Sequence, residues 1–197
     1  MEDVAERADV AIGSIYGHFG NKDGLYMAVV ENAVELFARY LRQAYQPQWS
    51  ALEQVVACGD AYLRFHIEHP GAFRFLAFDG VEADAPAVDS AQRARAGAGV
   101  ETLITEFEQK IQSAIDAGEV RPLDARLAGR FLWGAWNGVV ALGLRSDGMA
   151  LDEEEIHDAL QQARDIVLAG FCSPDARDAA GMPLARLRTT VSPVLGA

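Results

Sequence analysis

Apolar residues recur at every third or fourth position along most of the chain, and this periodicity limits the possible folds more than any other feature of the sequence. The spacing predicts long amphipathic helices over residues 21–46, 50–69, 100–118, 124–144 and 152–171. No stretch shows the strict two-residue alternation that marks a half-buried strand. The predicted fold class is therefore all-α.

The fourth of these helices carries the sequence "ARLAGRFLWGAWNGVVALGL", which is apolar nearly all round. A helix of this kind must be covered by neighbours on several sides. Its uncharged run, residues 131–144, is shorter than the roughly 20 residues that cross a bilayer. We therefore predict a buried helix and no membrane partner. A chain of 197 residues is long enough to bury such a core.

The two cysteines, Cys58 and Cys172, are far apart in the sequence and form no C-x-x-C motif. No secretory signal precedes them. This pattern is typical of a reduced, cytoplasmic protein.

Two short helices precede the long ones. Residues 2–8 and 12–19 both show helical spacing, and Asp9 stands between them, where a residue that tolerates the left-handed conformation is needed. Two short helices joined by a tight turn are the outline of a helix-turn-helix.

The second short helix, "IGSIYGHF", combines an apolar side with a polar one. Ser14, Tyr16 and His18 supply short polar groups of the kind that bind phosphates. Gly13 and Gly17 lack side chains, so the helix backbone can approach a partner closely, at a cost in helix propensity. We predict that this helix contacts DNA.

The overall charge argues against that prediction. The formal net charge is -12, with 29 acidic residues against 17 basic ones, whereas phosphate contacts need Lys and Arg. Residues 1–45 contain seven carboxylates but only four basic side chains, those of Arg7, Lys22, Arg39 and Arg42.

The segment "DVAERADVAIGSIYGHFGNKDGLYMAVV" resembles the DNA-binding segment of the TetR/AcrR family of bacterial transcriptional regulators, whose pattern is approximately I-A-x-x-A-G-V-S-x-G-T-x-Y-x-H-F-x-x-K-x-x-L. The matching residues are Val4, Ala5, Ala8, Val10, Gly13, Ser14, Tyr16, His18, Phe19, Lys22 and Leu25. The motif covers about the first 30 residues, and beyond it only the all-helical layout matches.

The resemblance implies a role for each matching position. Ser14, Tyr16 and His18 would contact backbone phosphates, and Lys22 would reach another phosphate from the next helix. Ile12 and Gly17 fall at the positions that tune sequence preference. The predicted DNA-binding residues are Ile12, Gly13, Ser14, Tyr16, Gly17, His18 and Lys22, while Ile15 and Phe19 would pack beneath the helix.

The segment also departs from the family pattern. Asp9 replaces the usual turn glycine, and Ala11 replaces a Ser or Thr N-cap worth about 1 kcal/mol. The family places a further helix before the point where this chain begins, so we expect an incomplete helix-turn-helix that binds operator DNA weakly. A late start, a truncation and a natural variant are all compatible with this. We also expect apolar residues that the helix would cover to be exposed: Val4, Ala5, Val10, Ile15 and Phe19.

The resemblance implies three parts to the chain. Residues 1–45 would form the helix-turn-helix with its connecting helix, and residues 46–171 a larger helical domain for ligand binding and dimerisation. Residues 172–197 show no sustained period and are predicted to form a flexible tail. The homodimer would form through residues 124–145 and 152–171, where Gly134 and Gly138 allow close helix packing.

Aromatic residues are dense in the larger domain, and clefts between helices lined by aromatic side chains are common ligand sites. The candidate ligand-binding residues are Tyr62, Phe65, Phe73, Phe78, Phe107, Trp133 and Trp136. For any one of them, an ordinary place in the core is the simpler interpretation.

The sequence thus predicts a ligand-responsive transcriptional regulator, a repressor that binds double-stranded palindromic operator DNA as a homodimer and is released by a small apolar or aromatic effector. The alternative is a helical dimer that binds a ligand or partner and does not read DNA. No catalytic set and no cofactor motif is present. His66 and His69 with Glu68 lack a third ligand at recognisable spacing, so we predict no metal site.

Overall fold

The computed structural model describes residues 1–77 and 90–189 of the chain. Within these residues there is no β-strand, only two isolated bridges, and the all-α prediction is confirmed. The acidic residues 79–90, whose small, turn-prone side chains are typical of a loop, lie outside the described residues except for Ser90, which begins a helix. The helices are α1 (Glu2–Ala8), α2 (Ile12–Phe19), α3 (Lys22–Ala44), α4 (Ala51–Glu68), α5 (Pro70–Ala77), α6 (Ser90–Asp116), α7 (Ala125–Ala141), α8 (Glu153–Phe171) and α9 (Ala185–Thr189).

The turn between α1 and α2 is built on Asp9, which adopts the left-handed conformation with φ 52° and ψ 46°. The amide of Val10 donates to the carbonyl of Ala5 at 3.0 Å, and the amide of Asp9 donates to the carbonyl of Glu6 at 3.2 Å. These two bonds form a Schellman-type end to α1. The predicted turn residue is confirmed.

Packing of α1 and α3 against α2 buries part of the surface that was expected to be exposed. Ala5 and Ile15 are both 6% exposed, and Phe19 is half-buried, so that expectation is wrong for these three residues. The physical reason is that the three helices cover one another. Val4 and Val10, which point away from this small core, are exposed as expected.

The long helix α3 joins the helix-turn-helix to the rest of the molecule. Asn21 caps its start, with the side-chain oxygen accepting from the Gly24 amide at 2.8 Å. The buried residues of α3 run from Met27 to Ala44, and the helix packs against α2 as well as against α4, α5 and α6.

Replacing Asn21 with Ala should lower the free energy of unfolding by about 1 kcal/mol, because the Gly24 amide loses its acceptor. Thermal unfolding followed by circular dichroism measures the change. The matched control is Asn32→Ala, at an exposed position inside the same helix, where Ala is the better helix former and stability should be unchanged or slightly raised. Equal losses in the two variants would contradict the capping role.

Helix α4 is the centre of the body and packs against α3, α5, α6, α8 and α9. Its start is a capping box in which Ser50 accepts from the Glu53 amide at 3.3 Å while the Glu53 carboxylate accepts from the Ser50 amide at 2.6 Å. One core cluster gathers around Phe37 and Phe65, and a second around Leu52 and Ile111. Because α4 contributes to both clusters, it holds the body together.

Helices α7 and α8 both begin at an Asp side-chain cap. Asp124 accepts from the Leu127 amide at 2.8 Å, and Asp152 forms a capping box with Glu155. The two helices pack against each other, and α7 also packs against α6.

The segment after α8 differs from the prediction of a flexible tail. Over residues 172–189, Cys172, Ala176 and Leu187 are at most 3% exposed. The amide of Ser173 donates to the carbonyl of Glu119 at 3.0 Å, which fastens the segment to the turn after α6. These contacts are made by single apolar residues on short turns. The segment therefore lacks the helical repeat of apolar residues that would have predicted its packing. Residues 190–197 lie outside the described residues.

Candidate functional site

Helix α2 has a buried side and a fully exposed side. Ile15 is buried and Phe19 half-buried, which confirms that both pack beneath the helix. All seven predicted DNA-binding residues are exposed: Ile12, Gly13, Ser14, Tyr16, Gly17, His18 and Lys22. At 100° per residue, Gly13 and Gly17 fall at the middle of the exposed side, between Tyr16 on one flank and His18 on the other.

The two glycines face open space. A Cβ atom at Gly13 or Gly17 would meet no atom of the described residues within 4 Å. Packing within the chain therefore gives no reason for glycine at these positions, although each lowers the helix propensity by about 1 kcal/mol. A surface on which the helix backbone itself must approach a partner gives such a reason.

The start of α2 is also open. Ala11 occupies its N-cap, and no side chain accepts hydrogen bonds from the first amides of the helix. Amides at a helix start carry a partial positive charge and bind phosphates. Lys22, the first residue of α3, is exposed and adds a full positive charge beside the end of α2.

A second feature, in the body, is a cavity of about 90 Å³ lined by residues of α3, α4, α6, α7 and α8. This is several times the ~10–15 Å³ that one water needs. Most of its lining is apolar, with rings from α3, α4 and α7 close together. Phe37 and Trp133 lie 6.0 Å apart between ring centroids, and Tyr62 and Trp133 lie 5.6 Å apart.

Four of the predicted ligand-binding residues line this cavity: Tyr62, Phe107, Trp133 and Trp136. Phe65, on α4, and Phe73, on α5, do not, because both pack into the aromatic core, where they are 1% and 3% exposed. Both instead border a much smaller cavity of about 10 Å³. Phe78 lies outside the described residues.

Two charged residues that the sequence analysis did not single out also line the cavity. Asp60, on α4, is only 5% exposed, and its Oδ2 atom accepts no hydrogen bond from the described residues. Burial raises the pKa of Asp60 to about 7, and the positive charge of Arg164, on α8, opposes the rise. The Arg164 guanidinium also donates a hydrogen bond to the carbonyl of Leu187, at 3.1 Å.

The free thiols do not add chemistry to this site. Cys58 lines the cavity, and burial raises the pKa of its thiol to about 12. Burial also raises the pKa of Cys172. Both side chains are therefore neutral thiols at pH 7, and neither is activated as a nucleophile.

The outer surface of α7 carries a stripe of apolar and small residues. Leu127 and Phe131 are 60% and 61% exposed, and a Cβ atom at Gly134 or Gly138 would meet no described atom within 4 Å. The helical spacing places all four on one side of α7. On α8, Ile166 is 72% exposed. We call these five residues the α7–α8 face.

Within residues 1–77 and 90–189, no three His, Cys, Asp or Glu side chains converge as metal ligands would. Every helix in the same part of the chain is too short or too polar to span a lipid bilayer.

An exposed helix-turn-helix, joined by one long helix to an all-α body with an apolar cavity, defines a class of protein: the ligand-responsive, DNA-binding regulators. Residues 1–29 match the family model of the tetR family of bacterial regulatory proteins, and residues 55–167 match that of the tetracyclin repressor-like C-terminal domain. The chain belongs to the TetR family of transcriptional regulators. No curated protein matches its sequence.

Solved structures share the fold at low sequence identity. A TetR-family regulatory protein from Rhodococcus RHA1 has a TM-score of 0.69 and 15% identity, covering 87% of this chain and 85% of that one. The ketosteroid transcriptional regulator KstR2 of Mycobacterium tuberculosis has a TM-score of 0.64 and 21% identity, covering 87% and 83%. AibR, in complex with isovaleryl coenzyme A and operator DNA, has a TM-score of 0.63 and 19% identity, covering 80% and 82%.

Proposed function

We propose that this protein is a repressor that binds a palindromic operator as a homodimer and is released when a small apolar or aromatic effector occupies the cavity. The observation that carries the proposal is the exposed side of α2, where two glycines face open space between polar side chains. This is a surface suited to a helix that enters the major groove.

The α7–α8 face supports the homodimer. An exposed apolar stripe of this kind is typical of a protein–protein interface. Glycines beside Phe131 would let a partner helix approach closely, so that α7 and α8 of two copies would form a four-helix bundle. A two-fold axis there would hold two copies of α2 about one DNA turn apart, as a palindromic site requires.

Helix α3 supports the coupling between effector and DNA. Phe37 and Leu41, near its end, line the cavity, while its first residue, Lys22, is among the predicted phosphate contacts. An effector that displaces Phe37 would move a continuous helix attached to α2. The effector would then favour a conformer in which the two α2 helices no longer match successive major grooves. AibR, which shares the fold, was solved with both an acyl-coenzyme A and operator DNA.

Gly13→Ala should weaken binding to the intergenic DNA beside the gene by about tenfold or more, because the added methyl group lies where the helix backbone meets DNA. The same change should raise stability by roughly 0.5–1 kcal/mol, because Ala is the better helix former. Fluorescence anisotropy at two salt concentrations, together with thermal unfolding, measures both effects.

The matched control is Gly97→Ala, because Gly97 also lies in a helix and a Cβ atom there meets nothing within 4 Å. This variant should gain stability and keep its DNA affinity. If both variants bind DNA as the wild type does, α2 is not the reading helix. If the wild-type chain binds none of this DNA at low salt, the alternative of a helical ligand-binding dimer that does not read DNA is favoured.

A further inference from the structure

One buried acceptor of the cavity lining, a carboxylate oxygen of Asp60, receives no hydrogen bond from the described residues. Asp60 projects from the middle of α4 into a lining that is otherwise mostly apolar, and its Oδ2 accepts no hydrogen bond from the described residues. A buried acceptor left without a donor is costly, and native proteins usually satisfy such groups. A donor supplied by the occupant of the cavity would satisfy this one.

The charge of the occupant follows from the neighbour of Asp60. Arg164 lines the same cavity, and its positive charge acts on the Asp60 carboxylate. An ammonium group placed against Asp60 would therefore be repelled by Arg164 as well as attracted by the carboxylate. A neutral donor pays no such penalty. It can also be part of a hydroxyl, whose oxygen accepts a hydrogen bond while its proton is donated.

The size and shape of the cavity limit the rest of the molecule. About 90 Å³ of space, bordered by Trp133, Trp136 and Phe107, suits a compact apolar body such as a single ring. Arg164, which lines the same cavity from α8, donates to the Leu187 carbonyl of α9 at 3.1 Å.

We propose that the effector is a neutral, compact, largely apolar molecule with a hydroxyl group, and that Asp60 binds this hydroxyl as its hydrogen-bond acceptor. This inference rests on the proposed function, because it takes the cavity to be the effector site. It adds a chemical class to that site and assigns Asp60 as its specificity-determining residue.

Three molecules of nearly equal shape test the proposal: toluene, benzyl alcohol and benzylamine, which is protonated near neutral pH. Their dissociation constants for the full chain are measured at pH 8 by isothermal titration calorimetry. Tryptophan emission, to which Trp133 and Trp136 at the cavity contribute, is a second readout. In the wild type, benzyl alcohol should bind at least as tightly as toluene. Benzylamine should bind about tenfold more weakly or worse.

The decisive quantity is the ratio of the toluene to the benzyl alcohol dissociation constant. In Asp60→Leu this ratio should fall by about tenfold or more. The hydroxyl still gives up its hydrogen bonds to water when it enters the cavity, but it no longer finds a charged acceptor there. Asp60→Asn, which keeps the shape of the side chain, should show a smaller fall in the same direction. The control Asp165→Asn removes an exposed carboxylate next to Arg164 and should leave the ratio unchanged.

Three other results would each contradict a different part of the proposal. If toluene binds and the ratio is the same in Asp60→Leu, the cavity is a ligand site but hydroxyl recognition by Asp60 is wrong. If benzylamine binds most tightly, the effector class is cationic and the proposal is wrong. If none of the three molecules binds, the cavity is not the effector site, and this inference fails together with that part of the proposed function.

Discussion

Phe131→Asp should convert the proposed homodimer into monomers and abolish tight operator binding. In a two-fold interface each substitution counts twice, so the dimer loses the burial of two rings, each worth about 1.5–3 kcal/mol. It also gains two carboxylates that face each other. A total loss of about 5 kcal/mol corresponds to a dissociation constant raised more than about a thousandfold.

The folded subunit should be unaffected by this change, because Phe131 is 61% exposed within it. Light scattering after size-exclusion chromatography gives the mass, thermal unfolding gives the stability, and anisotropy gives the affinity for DNA. The control is Met182→Asp, an apolar side chain 49% exposed outside the α7–α8 face, which should remain dimeric. A Phe131→Asp protein that keeps the mass of a dimer would show that the interface lies elsewhere.

The sequence was sufficient to predict the helix-turn-helix. Asp9 marks the turn, Asn21 marks the start of α3, and the alternation of Ile15 with polar neighbours identifies the exposed side of α2. These are local signals, because caps, turns and helical spacing act over at most four residues. The structure agrees with them because each is determined by residues close together in the chain.

The cavity could be predicted only in part, because it depends on contacts between distant segments. Periodicity identified Phe65 and Trp136 equally as apolar helix residues, but only helix packing decides which of them borders a space. The burial of Leu187 has the same origin, since one side chain on a short helix fits between α4 and its neighbours without any repeating pattern.

Asp60 and Arg164 did leave a signal in the sequence. Asp60 falls between Val56 and Leu63 at the spacing i, i+4, i+7, and so interrupts the apolar stripe of α4. Arg164 interrupts the stripe of α8 four residues after Leu160 in the same way. A charge on an apolar stripe must be buried or must distort the packing, and a pair of such charges on two helices indicates a polar contact inside the core.

The buried carboxylate has a consequence for stability, which should rise as the pH falls from 8 to 5. Burial raises the pKa of Asp60 from 3.8 to about 7, so between these values the folded protein holds a proton that the unfolded chain releases. The destabilisation is complete above pH 7 and is relieved as the pH falls through 7. At 1.36 kcal/mol per pKa unit, the relief between pH 8 and 5 is about 3 kcal/mol.

Other groups titrate in the same range, and a matched variant separates them from Asp60. Burial lowers the pKa of His66, so its contribution to stability is lost as the pH falls, opposite in sign to that of Asp60. Asp60→Asn keeps His66 and all other carboxylates but cannot titrate at position 60. Urea unfolding of both proteins at pH 8 and pH 5 gives the change in the free energy of unfolding for each protein. The difference between the two changes is the effect of Asp60. The wild type should gain about 3 kcal/mol more than Asp60→Asn on acidification. Equal gains would show that the Asp60 carboxylate titrates as an exposed group does, and that the cavity is solvated.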